Sequence, residues 1–118
     1  MKLWYNGKIM NVEDATIPIT WMSPRISSGV FDGVRGYWNA GQQKLFMFRL
    51  QKHMGRFWKG CRIQKPNFNF SKKDLIKAAI DLIRINAFRE DIYLAPNAFL
   101  GIDIAKGGSP VKVEIPIC

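Results

Sequence analysis

The Asn6-Gly7 dipeptide is the feature that most restricts how this chain can fold. It separates two short, largely apolar segments, residues 3–5 and 8–10. Asn-Gly suits the two positive φ angles of a type I′ turn, which joins neighbouring antiparallel strands through a two-residue loop. The chain is therefore predicted to open with a β-hairpin, and the domain is predicted to contain an antiparallel sheet.

The segment after this hairpin is harder to interpret. Residues 12–21 place apolar side chains in alternation but include Pro18. Because proline cannot donate to a sheet ladder, we predict an edge strand or an irregular approach here. Pro24 is then expected to begin one or two helical turns that run through Phe31 and end at Gly33.

A second hairpin is predicted from strands at residues 34–38 and 45–48, joined by turn residues 39–41. The segment 49–62 then has the period of an amphipathic helix. Its apolar face comprises Leu50, Met54, Phe57, Trp58 and Cys61. Its opposite face is basic and comprises Arg49, Lys52, Arg56 and Lys59.

A second helix is predicted to begin after Ser71, because Ser71 and Asp74 nearly match a capping box, and to end near Asn86. Its apolar stripe comprises Leu75, Ile76, Ala79, Leu82 and Ile83. Residues 92–100 and 111–117 are predicted strands. This ββ…αα…ββ order predicts an α+β fold, a small two-layer domain with a largely antiparallel sheet and helices packed on one face.

The composition is that of one globular domain, residues 1–118, with 47% hydrophobic and 23% charged residues. Apolar runs are far too short to span a bilayer, so no membrane partner is expected. The only cysteines, Cys61 and Cys118, are far apart and form no Cys-x-x-Cys motif. They are predicted to be reduced thiols, one of them packed in the core, in a cytoplasmic protein.

The net charge of +9 and the pI near 9.9 favour an anionic partner. One interpretation is a stand-alone basic domain that binds nucleic acid or another anion through the helix 49–62. However, Phe57 and Trp58 lie on the apolar face of that helix, which favours core packing over stacking on bases. A simply solvated basic face is a further alternative.

Self-contained catalytic motifs are absent from the sequence. It has no Walker phosphate loop, no His-Glu-x-x-His and no Gly-x-Ser-x-Gly. His53 is the only histidine and has no partner at metal-ligand spacing. We therefore predict no metal site and no catalytic residue in this chain. His53 is expected to lie on the helix surface or to pack against a neighbour.

Residues suited to an anion site are nevertheless present. Arg56 has lysines near it on the same helix, and a guanidinium can bind phosphate oxygens in a bidentate manner. Three glycines surround Phe31 and Arg35, as expected where a backbone turns sharply near a ligand, although a helix-to-strand turn without a ligand is the simpler explanation. These glycines are Gly29, Gly33 and Gly36.

Five motifs in the same order resemble the small N-terminal domain of fold-type IV, pyridoxal-phosphate-dependent aminotransferases, and the branched-chain amino acid aminotransferases in particular. They are Trp4-Tyr5-Asn6-Gly7, Glu13-Asp14-Ala15, Val30-Phe31-Asp32-Gly33-Val34-Arg35, Phe48-Arg49 and His53-Met54-Gly55-Arg56-Phe57. The resemblance runs over essentially the whole chain.

The resemblance implies a role for particular residues. Arg56 would contact the phosphate of pyridoxal 5′-phosphate in the full-length enzyme, while Phe31, Gly33 and Arg35 would line the substrate side of the pocket and Tyr93 would form a wall. The reaction would transfer an amino group between an amino acid, most simply a branched-chain one, and a 2-oxo acid. A homodimer, or self-association of the chain, is also expected.

Two positions depart from the family pattern. Ile26 stands where the family usually has tyrosine, and Ala95 stands where the branched-chain enzymes have an arginine that helps to hold an acidic substrate. A lyase or an amine transaminase of the same fold type therefore remains an alternative.

None of the chain's later lysines matches the family's catalytic context. The cofactor-binding lysine of this family lies in a larger C-terminal domain, which is not part of this chain. We therefore expect the chain alone to be catalytically silent. The lysines considered are Lys59, Lys65, Lys72, Lys73, Lys77, Lys106 and Lys112.

Overall fold

A computed structural model describes residues 1–18, 21, 29–64, 68–101 and 111–115 of the chain. Eight strands, two α-helices and one 3-10 helix lie in these ranges. The strands are β1 (Lys2–Tyr5), β2 (Lys8–Asn11), β3 (Gly29–Phe31), β4 (Val34–Asn39), β5 (Lys44–Met47), β6 (Ile92–Leu94), β7 (Asn97–Leu100) and β8 (Val111–Ile115). The helices are α1 (Leu50–Gln64) and α2 (Lys72–Asn86), and the 3-10 helix is Val12–Asp14.

The predicted opening hairpin is confirmed. Strands β1 and β2 pair antiparallel with Tyr5 opposite Lys8, so only two residues form the turn. Asn6 has a φ of 47° and Gly7 a φ of 99°, and both lie in the region that a type I′ turn requires.

The α+β prediction is also confirmed, since all described strand pairs are antiparallel. The strands divide between two sheets, one with the order β2-β1-β8-β7-β3 and the other with the order β5-β4-β6. Strand β8 lies in the middle of the larger sheet, between β1 and β7. Its residues 111–114 pair with β7, whereas only Glu114 and Ile115 pair with β1.

Two local predictions are wrong in the described residues. Gly29–Phe31 is a strand and not the end of a helix, because it pairs with residues 97–99 of β7. Val12–Asp14 is a 3-10 helix, which agrees with the irregular alternative predicted for this segment and not with the edge strand. The predicted strand over residues 92–100 is two strands in different sheets, interrupted at Pro96, which lacks the N–H that a continuous ladder needs.

Both helices bury the apolar faces that their sequence period predicts. Helix α1 packs against α2 and β3, and α2 packs against β1. The fully buried side chains of the two helices are Met54, Phe57, Cys61, Leu75, Ala79 and Leu82. Ser71 caps α2 as predicted, because its hydroxyl accepts from the Asp74 N–H and the Asp74 carboxylate accepts from the Ser71 N–H. No helix in the described ranges has the length and apolar character needed to cross a membrane.

Candidate functional site

Four of the five predicted site residues meet at one surface pocket. Phe31, Gly33, Arg56 and Tyr93 line it, and they come from β3, the β3–β4 link, α1 and β6. The pocket is completed by Val30, Asp32 and Gly60. The sheets and helix α1 thus bring together residues that are far apart in sequence.

Arg35, the fifth predicted residue, lies beside this pocket. It is exposed on β4 and stands directly opposite Tyr93 on β6. Residues opposite each other in an antiparallel pair project from the same face of the sheet. Arg35 therefore lies on the same open sheet face as the tyrosine that lines the pocket.

A buried carboxylate, Asp32, lies behind the pocket with its side chain only 3% exposed. Its oxygens accept hydrogen bonds from Arg56, with Nε–Oδ2 at 2.7 Å and Nη2–Oδ1 at 2.9 Å. The Gly33 N–H also donates to Oδ1, at 2.8 Å. His53 Nδ1 lies 2.9 Å from Oδ1 and donates to it in the tautomer protonated at Nδ1. The Asp32 N–H donates to the Pro96 carbonyl at 3.0 Å, which ties Asp32 to the residues between β6 and β7.

These contacts fix the ionisation of Asp32. Burial by itself raises the pKa of this carboxyl, but the hydrogen bonds from Arg56, Gly33 and His53 outweigh it and lower the pKa to about 2. The same contact with Asp32 raises the pKa of Arg56. Asp32 and Arg56 therefore form a charged pair at neutral pH.

Tyr93 lies directly on the backbone of Gly33. A Cβ at position 33 would come within 1.9 Å of the Tyr93 hydroxyl oxygen and 2.5 Å of its Cζ. Only glycine leaves room for the ring in this position. Gly33 and Tyr93 thus shape the pocket as one unit, on the side next to Phe31, which is 79% exposed.

The Arg56 side chain is 72% exposed although one edge of it is bound to Asp32. A guanidinium has five N–H donors, and Asp32 uses two of them. A second surface depression adjoins it and is lined by Phe48, Arg49, Lys52, His53 and Arg56. The pocket therefore borders a strongly basic surface at the start of α1.

Asp32 and His53 are the two residues whose roles the sequence prediction missed. The prediction gave His53 a surface or packing role. His53 and Arg56 are three residues apart, which puts both side chains on one side of α1 and could have suggested a shared hydrogen-bond partner. That partner, Asp32, is recognisable only when the burial of the β3–β4 link is known.

Among the described residues, no group of three His, Cys, Asp or Glu side chains is placed to hold a metal ion. Cys61 is a free, buried thiol whose pKa is raised to about 12 by burial. It is packed in the core, as predicted. Cys118 and Ile26 lie outside the described residues.

Known proteins with similar sequences are aminotransferases. The "Probable branched-chain-amino-acid aminotransferase" of Aquifex aeolicus is 30% identical over 96 residues, which are 81% of this chain and 31% of that protein. The branched-chain-amino-acid aminotransferase of Pseudomonas aeruginosa is 29% identical over 116 residues, 98% of this chain and 37% of the relative. No protein-family model matches the chain. The chain spans about a third of the length of these curated relatives.

Solved structures with a similar fold lead to the same class. The branched-chain aminotransferase from Thermoproteus uzoniensis, crystallised with norvaline, superposes with a TM-score of 0.86 at 30% identity and covers 100% of this chain and 40% of its own. The Thermobaculum terrenum enzyme in its pyridoxal-phosphate form gives a TM-score of 0.85 at 29% identity over 98% of this chain and 39% of its own.

Sequence and fold together thus connect this chain with the aminotransferases. Within that class, it resembles the small domain of the branched-chain amino acid aminotransferases, as the five sequence motifs predicted.

Proposed function

We propose that this chain forms one wall of the active site of a pyridoxal-phosphate-dependent aminotransferase that acts on a branched-chain amino acid and a 2-oxo acid. The observation that carries the proposal is the convergence of Phe31, Gly33, Arg56 and Tyr93 on one pocket. Phe31 and Gly33 are near neighbours in sequence, whereas Arg56 and Tyr93 reach the same pocket only through the fold, as expected for a shared binding site. The similarity to branched-chain aminotransferases supports the same conclusion.

The residues fit the phosphate group of the cofactor. Arg56 presents an exposed guanidinium whose position is fixed by Asp32, and three of its N–H donors are not used by that carboxylate. Lys52 and Arg49 add positive charge to the adjoining surface. In this role Arg56 would bind the phosphate, and the cofactor, when bound, would supply an electron sink for the transfer of the amino group.

The substrate side would be formed by Phe31, Gly33, Tyr93 and Arg35. Phe31 offers an exposed apolar ring, which suits an aliphatic side chain. The Tyr93 ring, held against Gly33, would limit the space available to the substrate and exclude water from it. Arg35 would add a positive charge on the same sheet face, suited to a carboxylate.

A lyase or an amine transaminase of the same fold is the second candidate. The observation that favours it is Ala95, which follows β6 immediately after Leu94 and carries only a methyl group. A methyl group cannot bind a carboxylate, so a substrate with one carboxylate fewer would lose nothing at this position. The nucleic-acid alternative is weaker, because Phe57 is buried and Trp58 is half-buried with its Nε1–H donated to the Phe70 carbonyl at 3.0 Å.

The proposal also assigns the phosphate contact and the catalytic lysine to different domains, as predicted from the sequence. The lysine that bonds to the cofactor would come from a second domain, and the chain alone would not catalyse transamination. A dimeric assembly and a cytoplasmic location are part of the same proposal. The dimer rests on the family resemblance, and the cytoplasmic location rests on the two widely separated cysteines.

A domain graft tests the proposed function. This chain would replace the corresponding part of the Aquifex aeolicus relative, and the hybrid would be assayed for amino transfer from leucine to a 2-oxo acid. We expect activity that disappears with Arg56→Ala. A hybrid that folds and binds the cofactor but transfers no amino group would refute the aminotransferase assignment. Release of ammonia or cleavage of the substrate would support the lyase instead.

A further inference from the structure

We infer that Asp32 is a positioning residue for anion binding: it holds the Arg56 guanidinium so that its outer edge is presented to a phosphate. The inference rests on the proposed anion site at Arg56 and goes beyond it, because the Asp32 carboxylate, which is only 3% exposed, would act through Arg56 and not on the phosphate itself.

The hydrogen bonds of Asp32 carry the argument. The carboxylate accepts from Arg56 twice, from the Gly33 N–H and from His53, so the capacity of a buried carboxylate is nearly filled. Its side chain is 3% exposed and no buried polar side-chain atom in the described residues lacks a partner. Asp32 is therefore fixed in one orientation by the backbone as well as by side chains.

The geometry of Arg56 shows which donors remain. Asp32 occupies the Nε–H and one N–H of Nη2, so the remaining N–H groups are one on Nη2 and two on Nη1. These form the edge of the guanidinium that can bind two phosphate oxygens at once. An exposed arginine normally loses side-chain freedom when it binds a ligand, but this one has been ordered already by its buried partner.

A second effect of Asp32 opposes the first. Its negative charge would be separated from the bound anion only by the Arg56 guanidinium, and the two negative charges would repel each other. Because the charge is buried and paired, we expect positioning to outweigh repulsion. The two effects predict opposite outcomes when Asp32 becomes neutral, which makes the inference testable.

Phosphate binding to the 118-residue chain provides the test. Inorganic phosphate is titrated into ¹⁵N-labelled protein, and the dissociation constant is read from amide and Arg Nε–H shifts. Asp32→Asn should weaken binding about tenfold or more, as expected for the loss of a charge-assisted hydrogen-bond pair, and Asp32→Glu should recover part of it. Asp81→Asn is the matched control, since it removes the same charge from a surface carboxylate paired with Lys77 and should leave binding unchanged.

Salt separates positioning from charge. A pure charge effect of Asp32 fades as ionic strength rises, whereas the loss through misplacement of Arg56 persists. Equal or tighter phosphate binding by Asp32→Asn would overturn the inference and leave the proposed function untouched. A wild-type chain without any phosphate-dependent shift at Arg56 would overturn it too, while the activity of the graft would still decide the proposed function.

A measurement on the unaltered chain covers the case in which the Asp32 variants do not fold. An Arg56 Nε–H held by a buried carboxylate should give a sharp, slowly exchanging signal before any phosphate is added. A rapidly exchanging Arg56 Nε–H in the free protein would show that the guanidinium is not preorganised, and would refute the inference without a variant.

Discussion

Asp32 and Arg56 are joined by two hydrogen bonds between a carboxylate that is almost fully buried and a guanidinium that is mostly exposed. The pair thus connects the interior of the domain with the basic surface at the start of α1. Removal of Arg56 would leave Asp32 as a buried charge without its main partner. Removal of Asp32 should cost less, because the exposed Arg56 guanidinium can be solvated by water.

Acid should weaken the fold through this pair. The pKa of Asp32 is lowered to about 2 from an ordinary value of 3.8, so its contribution is fully present above about pH 4 and is lost as the pH falls towards 2. That contribution is about 2 kcal/mol. Urea unfolding of wild type and Asp32→Asn between pH 7 and pH 2.5 should show a smaller pH dependence in the variant. The pKa of Asp74 is also lowered, by its capping bonds with Ser71, so Asp74→Asn is needed as a parallel variant.

Gly33→Ala should displace the Tyr93 ring at little cost in stability. The added methyl group overlaps the end of a side chain that is 42% exposed and can swing into solvent, so we expect a change of about 1 kcal/mol or less. Gly36→Ala provides the contrast, because its Cβ would lie 2.6 Å from Met47 Sδ and 2.8 Å from Ile92 Cγ1, and Ile92 is buried. It should cost about 1–3 kcal/mol. Equal losses in urea unfolding would show that Tyr93 is held more tightly than its exposure indicates.

Arg56→Ala should weaken cofactor binding in the grafted enzyme more than Lys52→Ala or Lys59→Ala. The loss expected for a bidentate contact is about 1.5–3 kcal/mol, whereas an exposed lysine contributes little. Arg56→Lys should also bind poorly, because it keeps the charge without the planar fork. Three alanine variants with the same dissociation constant for pyridoxal phosphate would indicate a diffuse basic surface.

The chain alone should not form a stoichiometric covalent bond with pyridoxal phosphate. After incubation with the cofactor and borohydride reduction, mass spectrometry should find no dominant modified lysine among those in the sequence. The lysines that the structure describes on the two helices lie on exposed faces, outside the pocket. A single lysine modified in nearly every molecule would contradict the proposed division between two domains.

The chain should also self-associate when it is isolated. The open face of the smaller sheet carries Tyr37 and Phe46 as an opposed pair, with Tyr93 on the next strand, and all three are about half exposed. Trp4, by contrast, is buried and adds no apolar surface for association.

Sedimentation velocity at low and moderate salt measures this association. It should strengthen with salt, since the net charge of +9 keeps copies apart and salt screens it over roughly 10 Å at 0.1 M. Phe46→Ser should weaken it, whereas Ile63→Ser, which removes an exposed apolar residue from α1, should not. A sharp monomer under all conditions would mean that the open sheet face is stable in water.

Features decided by neighbouring residues were predictable from the sequence. The turn at Asn6-Gly7 needs two positive φ angles, and the Ser71 cap needs one hydroxyl and one carboxylate three residues apart. The role of residues 29–31 was not predictable, because the partner that makes them a strand is β7, far along the chain. The role of Asp32 was not predictable for a related reason. Its burial requires β3, β6–β7 and α1 to meet around it, and no single segment of the sequence indicates that contact.

The break between β6 and β7 has a practical consequence for redesign of the pocket. The Pro96 carbonyl that accepts from the Asp32 N–H belongs to the two residues that carry the chain from one sheet to the other. A library that varies the side chain at Ala95, including the arginine found in branched-chain enzymes, leaves that carbonyl in place. An insertion or deletion between β6 and β7 would move the Pro96 carbonyl. Asp32, which donates to that carbonyl, would shift with it and displace the Arg56 guanidinium. The pocket can thus be diversified by side-chain exchange, while the length of this link has to stay constant.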